Sequence, residues 1–412
     1  MISFYAISLA LLLPSTPSIE DLIHQPLTEI LKLTEPYSPA EVQTVRVRIE
    51  REYDETNQAS RMQEETWKRQ LAATRRELQV LNRTASADTE ATAIRRSRFH
   101  VDIAALERSV RESRLDRERA TRIHNLRLTK LWLAERWPQR RTRVQQKVHL
   151  GEARERSHGD VEDTGYRVIV KDPEDIEVGR QAVRQIVAGG RIPPELRDEE
   201  VQLFTRQVAG RIAMNSDLKV PLHVTVLDSR ELQAIALPGG YLFLTSGILA
   251  EAETESELAG VLSREIARIA ARHAARAAKV SWISRMFLPV TQIVGGIFAG
   301  GPANPAAYYG IGYGLEGLGG IVGKALNGNS EELQMEADQL GAQYTWKAGY
   351  DPAGFIAFLD SIALRENEFL PETPVLGERV LHLFEELEHL PPKATTAAYT
   401  GDFDRIRRRL ER

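Results

Sequence analysis

Two apolar stripes at helical spacing occupy residues 38–150 of this 412-residue chain, and they restrict its fold more than any other feature. Ser38 and Glu41 form a capping box with Pro39 at the first helical position, which predicts a helix start. Residues 82–90 are small and polar enough for a turn, and Pro138 is expected to end the second helix. The stripes predict an antiparallel helical hairpin or coiled coil. Their members are Val42, Val45, Ile49, Tyr53, Trp67, Leu71, Leu78 and Leu81, then Phe99, Ile103, Leu106, Val110, Ile123, Leu126, Leu131 and Trp132.

Charge divides the chain into two parts. Residues 38–150 carry a formal net charge of about +9, which leaves about −13 for the remainder. Clustered guanidinium groups attract phosphate, but acidic residues are interleaved with these arginines nearly everywhere. The pattern therefore favours a solvated helical surface that serves as a spacer or partner-binding arm, and we predict no nucleic-acid binding.

The amino terminus is an uncharged apolar run through Leu13 followed by small residues. The run is shorter than the ~20 residues that a spanning helix needs, and it is typical of a signal peptide. Residues 1–18 are therefore predicted to be a signal peptide that directs export to the periplasm or the membrane-associated cell envelope. An amphipathic docking helix and a misassigned start are the alternatives.

The second half of the chain has the pattern of a compact domain at residues 170–390. Residues 139–165 are charged and lack a sustained apolar period, so a linker is expected in this region, and we assign it to residues 151–169. Hydrophobic periodicity and turn residues predict helices, strands and a final tail helix in residues 391–412. The other predicted helices are 175–187, 199–214, 254–279, 331–347 and 352–364, and the strands are 221–227, 233–237 and 241–245. The fold class is thus α+β and mainly helical, with the hairpin at residues 19–150 in front of it.

Three motifs in this domain carry a resemblance to a known family. They are the segment 257–273 with Arg264-Glu265-x-x-Arg268, the segment Ala236-Leu-Pro-Gly-Gly-Tyr241, and Glu336-Ala-Asp338. Together they resemble the zinc metallopeptidases of the HExxH…E type, which include the CAAX prenyl endopeptidase and the heat-shock protease HtpX. The resemblance covers about residues 170–385 and implies a zincin-like peptidase domain with a small sheet.

The resemblance also implies roles for individual residues. Glu265 matches the catalytic glutamate, Glu336 the third zinc ligand, and Asp338 a carboxylate beside the metal site. Both metal-binding histidines, however, are replaced by Arg264 and Arg268. A guanidinium is always charged and has no free lone pair, so neither residue can bind zinc. We predict no cofactor; zinc would be required only if the domain is active after all.

The two arginines also suggest a substitute for the metal. Spaced i and i+4 on one helix face, they could supply positive charge to Glu265, Glu336 and Asp338. The alternative is an ordinary surface ion-pair pattern, because Arg-Glu-x-x-Arg alone is common.

Two further segments belong to the implied site. In the family a His-Pro pair precedes an arginine; here Thr373 replaces the histidine, while Pro374 and Arg379 remain. A threonine cannot become an imidazolium, so this oxyanion partner is weakened. The stretch Leu237-Pro238-Gly239-Gly240 is implied to lie beside the substrate cleft, where an extended peptide could add to the sheet; a plain hairpin turn is the alternative.

No other histidine is expected to replace the missing ligands. On a continuous helix His273 lies about 140° round from Arg268 and points away from the site. His223 falls in a strand, and His382 and His389 fall in a late helix.

The sequence thus favours a catalytically inactive, metallopeptidase-like protein that binds a peptide or protein partner in the cell envelope. An active zinc metalloendopeptidase with an unusual metal site is the alternative, so the sequence leaves enzyme activity undecided. A third hypothesis is a structural helical protein with a vestigial domain. The apolar, glycine-rich residues 280–328 are predicted to make peripheral membrane contact or to cover the cleft.

Overall fold

The computed structural model describes residues 17–84, 90–151, 192–271, 273, 330–365, 375–391 and 402–410, with scattered positions between 176 and 187. The predictions for residues 1–16, for residues 280–328 and for Thr373 therefore fall outside the described residues. The fold is mainly helical with one small sheet, as predicted.

Two short helices and two very long ones form the amino-terminal part: α1 (Ile19–Leu22), α2 (Leu27–Leu31), α3 (Pro39–Thr84) and α4 (Glu90–His149). The capping box at the start of α3 is confirmed, since the Glu41 amide donates to Ser38 Oγ at 3.3 Å and the Ser38 amide donates to Glu41 Oε2 at 3.0 Å. The two long helices run antiparallel. Ser60 Oγ and Ser113 Oγ, for example, lie 3.4 Å apart midway along them.

The prediction that Pro138 ends the second helix is wrong, because α4 continues through it to His149. Interior proline removes one helical hydrogen bond and costs about 3 kcal/mol. Tertiary packing opposes this cost here: Trp137 is fully buried, and its ring lies 5.1 Å from that of Phe384. Residues 139–149, predicted as the start of a linker, are consequently helical.

The rest of the described chain forms a small sheet covered by helices. The strands are β1 (His223–Leu227), β2 (Ala234–Leu237) and β3 (Tyr241–Thr245), in the order β1-β3-β2; β1 is parallel to β3, and β2 is antiparallel to it. The helices are α5 (Glu199–Met214), α6 (Ser246–Glu251), α7 (Glu255–Ala270), α8 (Ser330–Lys347), α9 (Gly354–Ile362), α10 (Val375–His389) and α11 (Phe403–Leu410). The predicted strands and the helix 199–214 are confirmed.

The turn between β2 and β3 depends on its two glycines. Gly239 and Gly240 have φ values of 74° and 93°, which disfavour residues with a Cβ atom. A Cβ at Gly240 would also lie 1.9 Å from the carbonyl oxygen of Pro221. This turn aligns Leu237 with Tyr241 and so sets the register of the β2–β3 pair.

The root of the hairpin shares its hydrophobic core with the sheet-containing part. The Trp137 indole N–H donates to the Leu31 carbonyl at 3.0 Å. Lys130 is buried, donates to the Gln25 carbonyl at 2.6 Å and lies 3.0 Å from Asp360 Oδ1 on α9. These contacts join the long helices firmly to the domain behind them.

Helix α7 is shorter than predicted. Thr254 caps it as expected, accepting from the Glu257 amide at 3.2 Å, but the helix ends at Ala270 rather than near Lys279. Ala271 closes it with a ψ of 0°. Within the part of the chain that the structure describes, no helix combines the length and apolarity needed to span a bilayer.

Candidate functional site

The candidate site forms where α7 packs against α8. Gly341 permits this contact, because a Cβ atom there would lie 2.9 Å from the Cα and N atoms of Arg264. The absence of a side chain lets the two helices approach closely, and Asp338, one turn before Gly341, therefore reaches the Arg264 side chain. A glycine within a helical pattern is the sequence signal for such an approach.

Arg264 is the centre of the site and is completely buried. Its Nε donates to Asp338 Oδ1 at 2.8 Å, and its Nη1 donates to Glu265 Oε1 at 2.5 Å. Its Cζ atom also lies 6.0 Å from the centre of the Phe355 ring. A buried guanidinium bound to two carboxylates is a strong, geometrically fixed arrangement.

Asp338 receives a second arginine from α10. Arg379 Nε donates to Asp338 Oδ2 at 2.8 Å and Arg379 Nη2 donates to Asp338 Oδ1 at 3.1 Å, which makes a two-pronged contact. Arg379 and Asp338 are 1% and 2% exposed, so both charges have been removed from water. The carboxylate of Asp338 thus links α7, α8 and α10.

Arg268 makes a looser contact than Arg264. Its Nη1 lies 3.8 Å from Glu265 Oε2, which is ion-pair distance but too long for a hydrogen bond. Its side chain is 11% exposed, whereas that of Glu265 is 1% exposed. Arg268 is therefore the member of this pair that faces solvent.

The prediction that His273 points away from the site is wrong. His273 Nε2 lies 3.0 Å from Glu336 Oε2, and both side chains are buried. The predicted angle assumed a continuous helix, but α7 ends at Ala270, so the chain turns before His273. Neither glycine nor proline marks this break, and sequence periodicity could not have found the pair.

The other sequence-predicted residues lie in the strands, in the turn after β2 and in α10. Leu237 ends β2, which packs against α7, and Pro238 to Gly240 form the following turn. In the strand order of the described residues β2 is an edge, paired with β3 alone. His223 stacks on Tyr241 with ring centres 4.8 Å apart, and His382 Nδ1 lies 3.6 Å from Glu385 Oε2, so both have other partners.

This donor set does not fit zinc. Zinc sites need neutral imidazole, thiolate or carboxylate ligands, and the positions flanking Glu265 on its own helix face hold Arg264 and Arg268. The Arg264 guanidinium already forms ion pairs with carboxylate oxygens of Glu265 and Asp338. Among the residues described, no three His, Asp or Glu side chains are grouped as a metal site would require.

The domain has a small sheet backed by a helix that carries the central glutamate, Glu265. A second helix, with Glu336 and Asp338, packs against the first. This arrangement defines a metallopeptidase-like domain. Residues 195–387 match the model of peptidase family M48. Residues 195–387 are thus a peptidase family M48 domain.

Relatives with curated descriptions agree with this assignment. The chain is 26% identical over 245 residues to the beta-barrel assembly-enhancing protease of Yersinia pestis, covering 57% of this chain and 48% of that protein. It is 26% identical over 195 residues to the beta-barrel assembly-enhancing protease of Escherichia coli K12, covering 46% of this chain and 37% of that protein. The chain thus spans less than half the length of these relatives.

Proposed function

We propose that this protein is a catalytically inactive, metal-independent member of the M48 family that binds a peptide or protein partner in the bacterial cell envelope. One observation carries the proposal: the Arg264 guanidinium is buried and hydrogen-bonded to both Glu265 and Asp338. It occupies the position where the family resemblance implies a zinc-binding histidine.

The chemistry of the site argues against peptide hydrolysis. Metal-assisted hydrolysis needs a Lewis acid to lower the pKa of a bound water, and a guanidinium has no vacant orbital with which to bind that water. Glu265, the implied general base, accepts a hydrogen bond from Arg264 at 2.5 Å. One of its oxygens is therefore directed at an arginine rather than at a substrate.

Charge balance supports an arginine-for-metal substitution. Glu265, Asp338 and Glu336 are each under 5% exposed and would be strongly destabilising if unpaired. Arg264, Arg268 and Arg379 lie within ion-pair distance of the first two, while His273 contacts Glu336. The domain can therefore keep its shape without a metal ion.

The cleft can still bind a polypeptide. Strand β2 lies at an edge of the described sheet and packs against α7, so an extended chain can add to it through main-chain hydrogen bonds. Such binding needs no metal. The name of the relatives connects them with β-barrel assembly, and we propose that the partner here is a protein of the same envelope process, reached through export directed by residues 1–18.

Zinc content tests the metal-independent site. Purified wild-type protein is expected to hold no zinc, and the Arg264→His/Arg268→His double variant is expected to take up one zinc per chain by elemental analysis. The Arg264→Gln/Arg268→Gln variant is the matched control, because it removes the same charges without adding ligands. Stoichiometric zinc in the wild-type protein would overturn the proposal and favour an active zinc metalloendopeptidase.

A binding assay tests the second half of the proposal. Fluorescein-labelled unfolded casein is expected to bind the wild-type protein, as measured by anisotropy, with an affinity that a chelator leaves unchanged. Gel electrophoresis after prolonged incubation is expected to show intact casein. Absence of binding would contradict the peptide-binding role, and chelator-sensitive cleavage would contradict inactivity.

A further inference from the structure

One side of the long helix α4 carries large aliphatic residues that no described part of the chain covers. Ile94, Val101 and Leu115 are 50%, 65% and 58% exposed. They are separated by multiples of seven residues, so they lie along one line of the helix, opposite the residues such as Phe99 and Ile103 that face α3. We call this side of α4, from Ile94 to Arg119, the outer α4 face.

Four exposed arginines share the outer α4 face. Arg98, Arg108, Arg111 and Arg119 make no ion pair with any residue that the structure describes. By contrast, Arg117 faces α3 and forms an ion pair with the buried Glu64.

Acidic residues of the same segment neutralise only part of this charge. Glu118 lies 3.0 Å from Arg114 and 3.9 Å from Arg122, so its charge is already shared between two arginines. Asp102, Glu112 and Asp116 are the other exposed carboxylates between Ile94 and Arg119, a segment that holds eight arginines and five acidic residues. The outer α4 face therefore combines a line of aliphatic side chains with an excess of positive charge.

Three kinds of ligand fit this combination poorly. A second copy of the same face would place Arg108 and its neighbours against identical arginines. Nucleic acid would match the arginines but would leave Val101 and Leu115 against a charged phosphate backbone. A folded acidic protein would be expected to find a pocket or aromatic anchor, and this face is a straight line of ~30 Å without an aromatic residue.

An anionic lipid surface fits all of these features. Basic amphipathic helices bind the membrane interface by burying aliphatic side chains at the acyl boundary while guanidiniums contact the lipid phosphates. We propose that the outer α4 face docks the long hairpin flat on an anionic phospholipid membrane. This proposal is independent of the peptide-binding role of the M48 domain.

Vesicle co-sedimentation tests the role of the arginines. The full-length protein is expected to bind vesicles containing about a quarter phosphatidylglycerol, and much less to pure phosphatidylcholine vesicles, with binding that weakens as salt rises. The Arg98→Gln/Arg108→Gln/Arg111→Gln variant is expected to lose roughly 100-fold in partition coefficient.

A matched control separates the outer α4 face from net charge. Arg61→Gln/Arg69→Gln/Arg76→Gln removes three exposed arginines from α3, giving the same net charge, and is expected to bind within about twofold of wild type. If this control loses as much binding as the α4 variant, or if wild type shows no preference for anionic vesicles, the proposal is wrong.

The aliphatic residues have their own test. Ile94→Ser/Val101→Ser/Leu115→Ser is expected to lower vesicle binding at least ~10-fold, because it removes the apolar side chains that would enter the membrane interface. The circular dichroism spectrum should stay unchanged, because these side chains are at least half exposed in the folded protein. Undiminished binding by this variant would overturn insertion at the membrane interface.

Discussion

At the scale of single residues, Arg264 explains how a metallopeptidase-like site can persist without its histidines. Its guanidinium satisfies two buried carboxylates on different helices, and Arg379 supplies a second cation to Asp338. Removal of one member of such a network is costly, because the remaining charge stays buried without a partner. These side chains therefore depend on one another for stability.

Replacement of Arg264 by methionine tests this dependence. The Arg264→Met variant keeps an apolar stem but leaves Glu265 without its buried cation, so the free energy of unfolding is expected to fall by about 3–5 kcal/mol in urea titrations. Arg61→Met, at an exposed position of α3, is the control and should change stability by less than about 0.5 kcal/mol. Equal stability of both variants would show that the buried network contributes nothing.

At the scale of structural elements, the hairpin of α3 and α4 has a polar middle. Tyr53 Oη and Thr121 Oγ1 lie 3.0 Å apart, and Ser60 faces Ser113. Next to them Glu64 is buried against Arg117 and lies 2.7 Å from Lys68 Nζ. Polar contacts in an otherwise apolar seam favour one alignment of the two helices over others.

Low pH is expected to destabilise the polar middle of the hairpin around Glu64. The hydrogen bond from Lys68, helped by Arg117 and opposed by burial, lowers the pKa of Glu64 below its ordinary value of 4.5. A lowered carboxyl pKa stabilises the fold above about pH 4.5, and this contribution is lost as the pH falls through the native pKa. Because glutamine does not titrate, the melting temperature of Glu64→Gln is expected to change less than that of wild type between about pH 7 and pH 3.

The control for this experiment is Glu65→Gln, which removes an exposed carboxylate at the adjacent position, 59% exposed by side chain. Melting curves of wild type and of both variants should be recorded by circular dichroism. An identical acid response in wild type and Glu64→Gln would refute the assignment to Glu64.

At the scale of the whole molecule, the hairpin is a projection whose root is part of the domain core. Trp137 and Lys130 connect α4 to α2 and α9, and Arg141 Nε lies 2.7 Å from Glu388 Oε1 on α10. The distal half of the hairpin is stabilised by the pairing of α3 with α4. We therefore expect the stability of the M48 domain not to depend on the length of the hairpin.

Truncation at the polar middle tests this division. Replacing residues 61–112 with a glycine-rich loop of about five residues between Ser60 and Ser113 is expected to leave a soluble protein whose domain unfolds cooperatively, within a few degrees of wild type. The same variant should lose vesicle binding, because most of the outer α4 face is gone. An aggregated or molten product would show that the distal hairpin supports the domain.

The sequence alone determined the features that depend on local chemistry. The apolar stripes specify two long helices, the capping residues Ser38 and Thr254 mark helix starts, and the glycines after Pro238 specify a turn that only residues without a Cβ atom adopt easily. The inability of Arg264 and Arg268 to bind zinc also follows from their chemistry.

Tertiary structure decided what depends on contacts between distant residues. Arg264 and its partner Asp338 are 74 positions apart, and His273 and Glu336 are 63 apart, so no local pattern could pair them. Pro138 stays within a helix because packing around Trp137 offsets the cost of the proline. Periodicity describes one continuous helix at a time, whereas the site is built from the ends and crossing points of several.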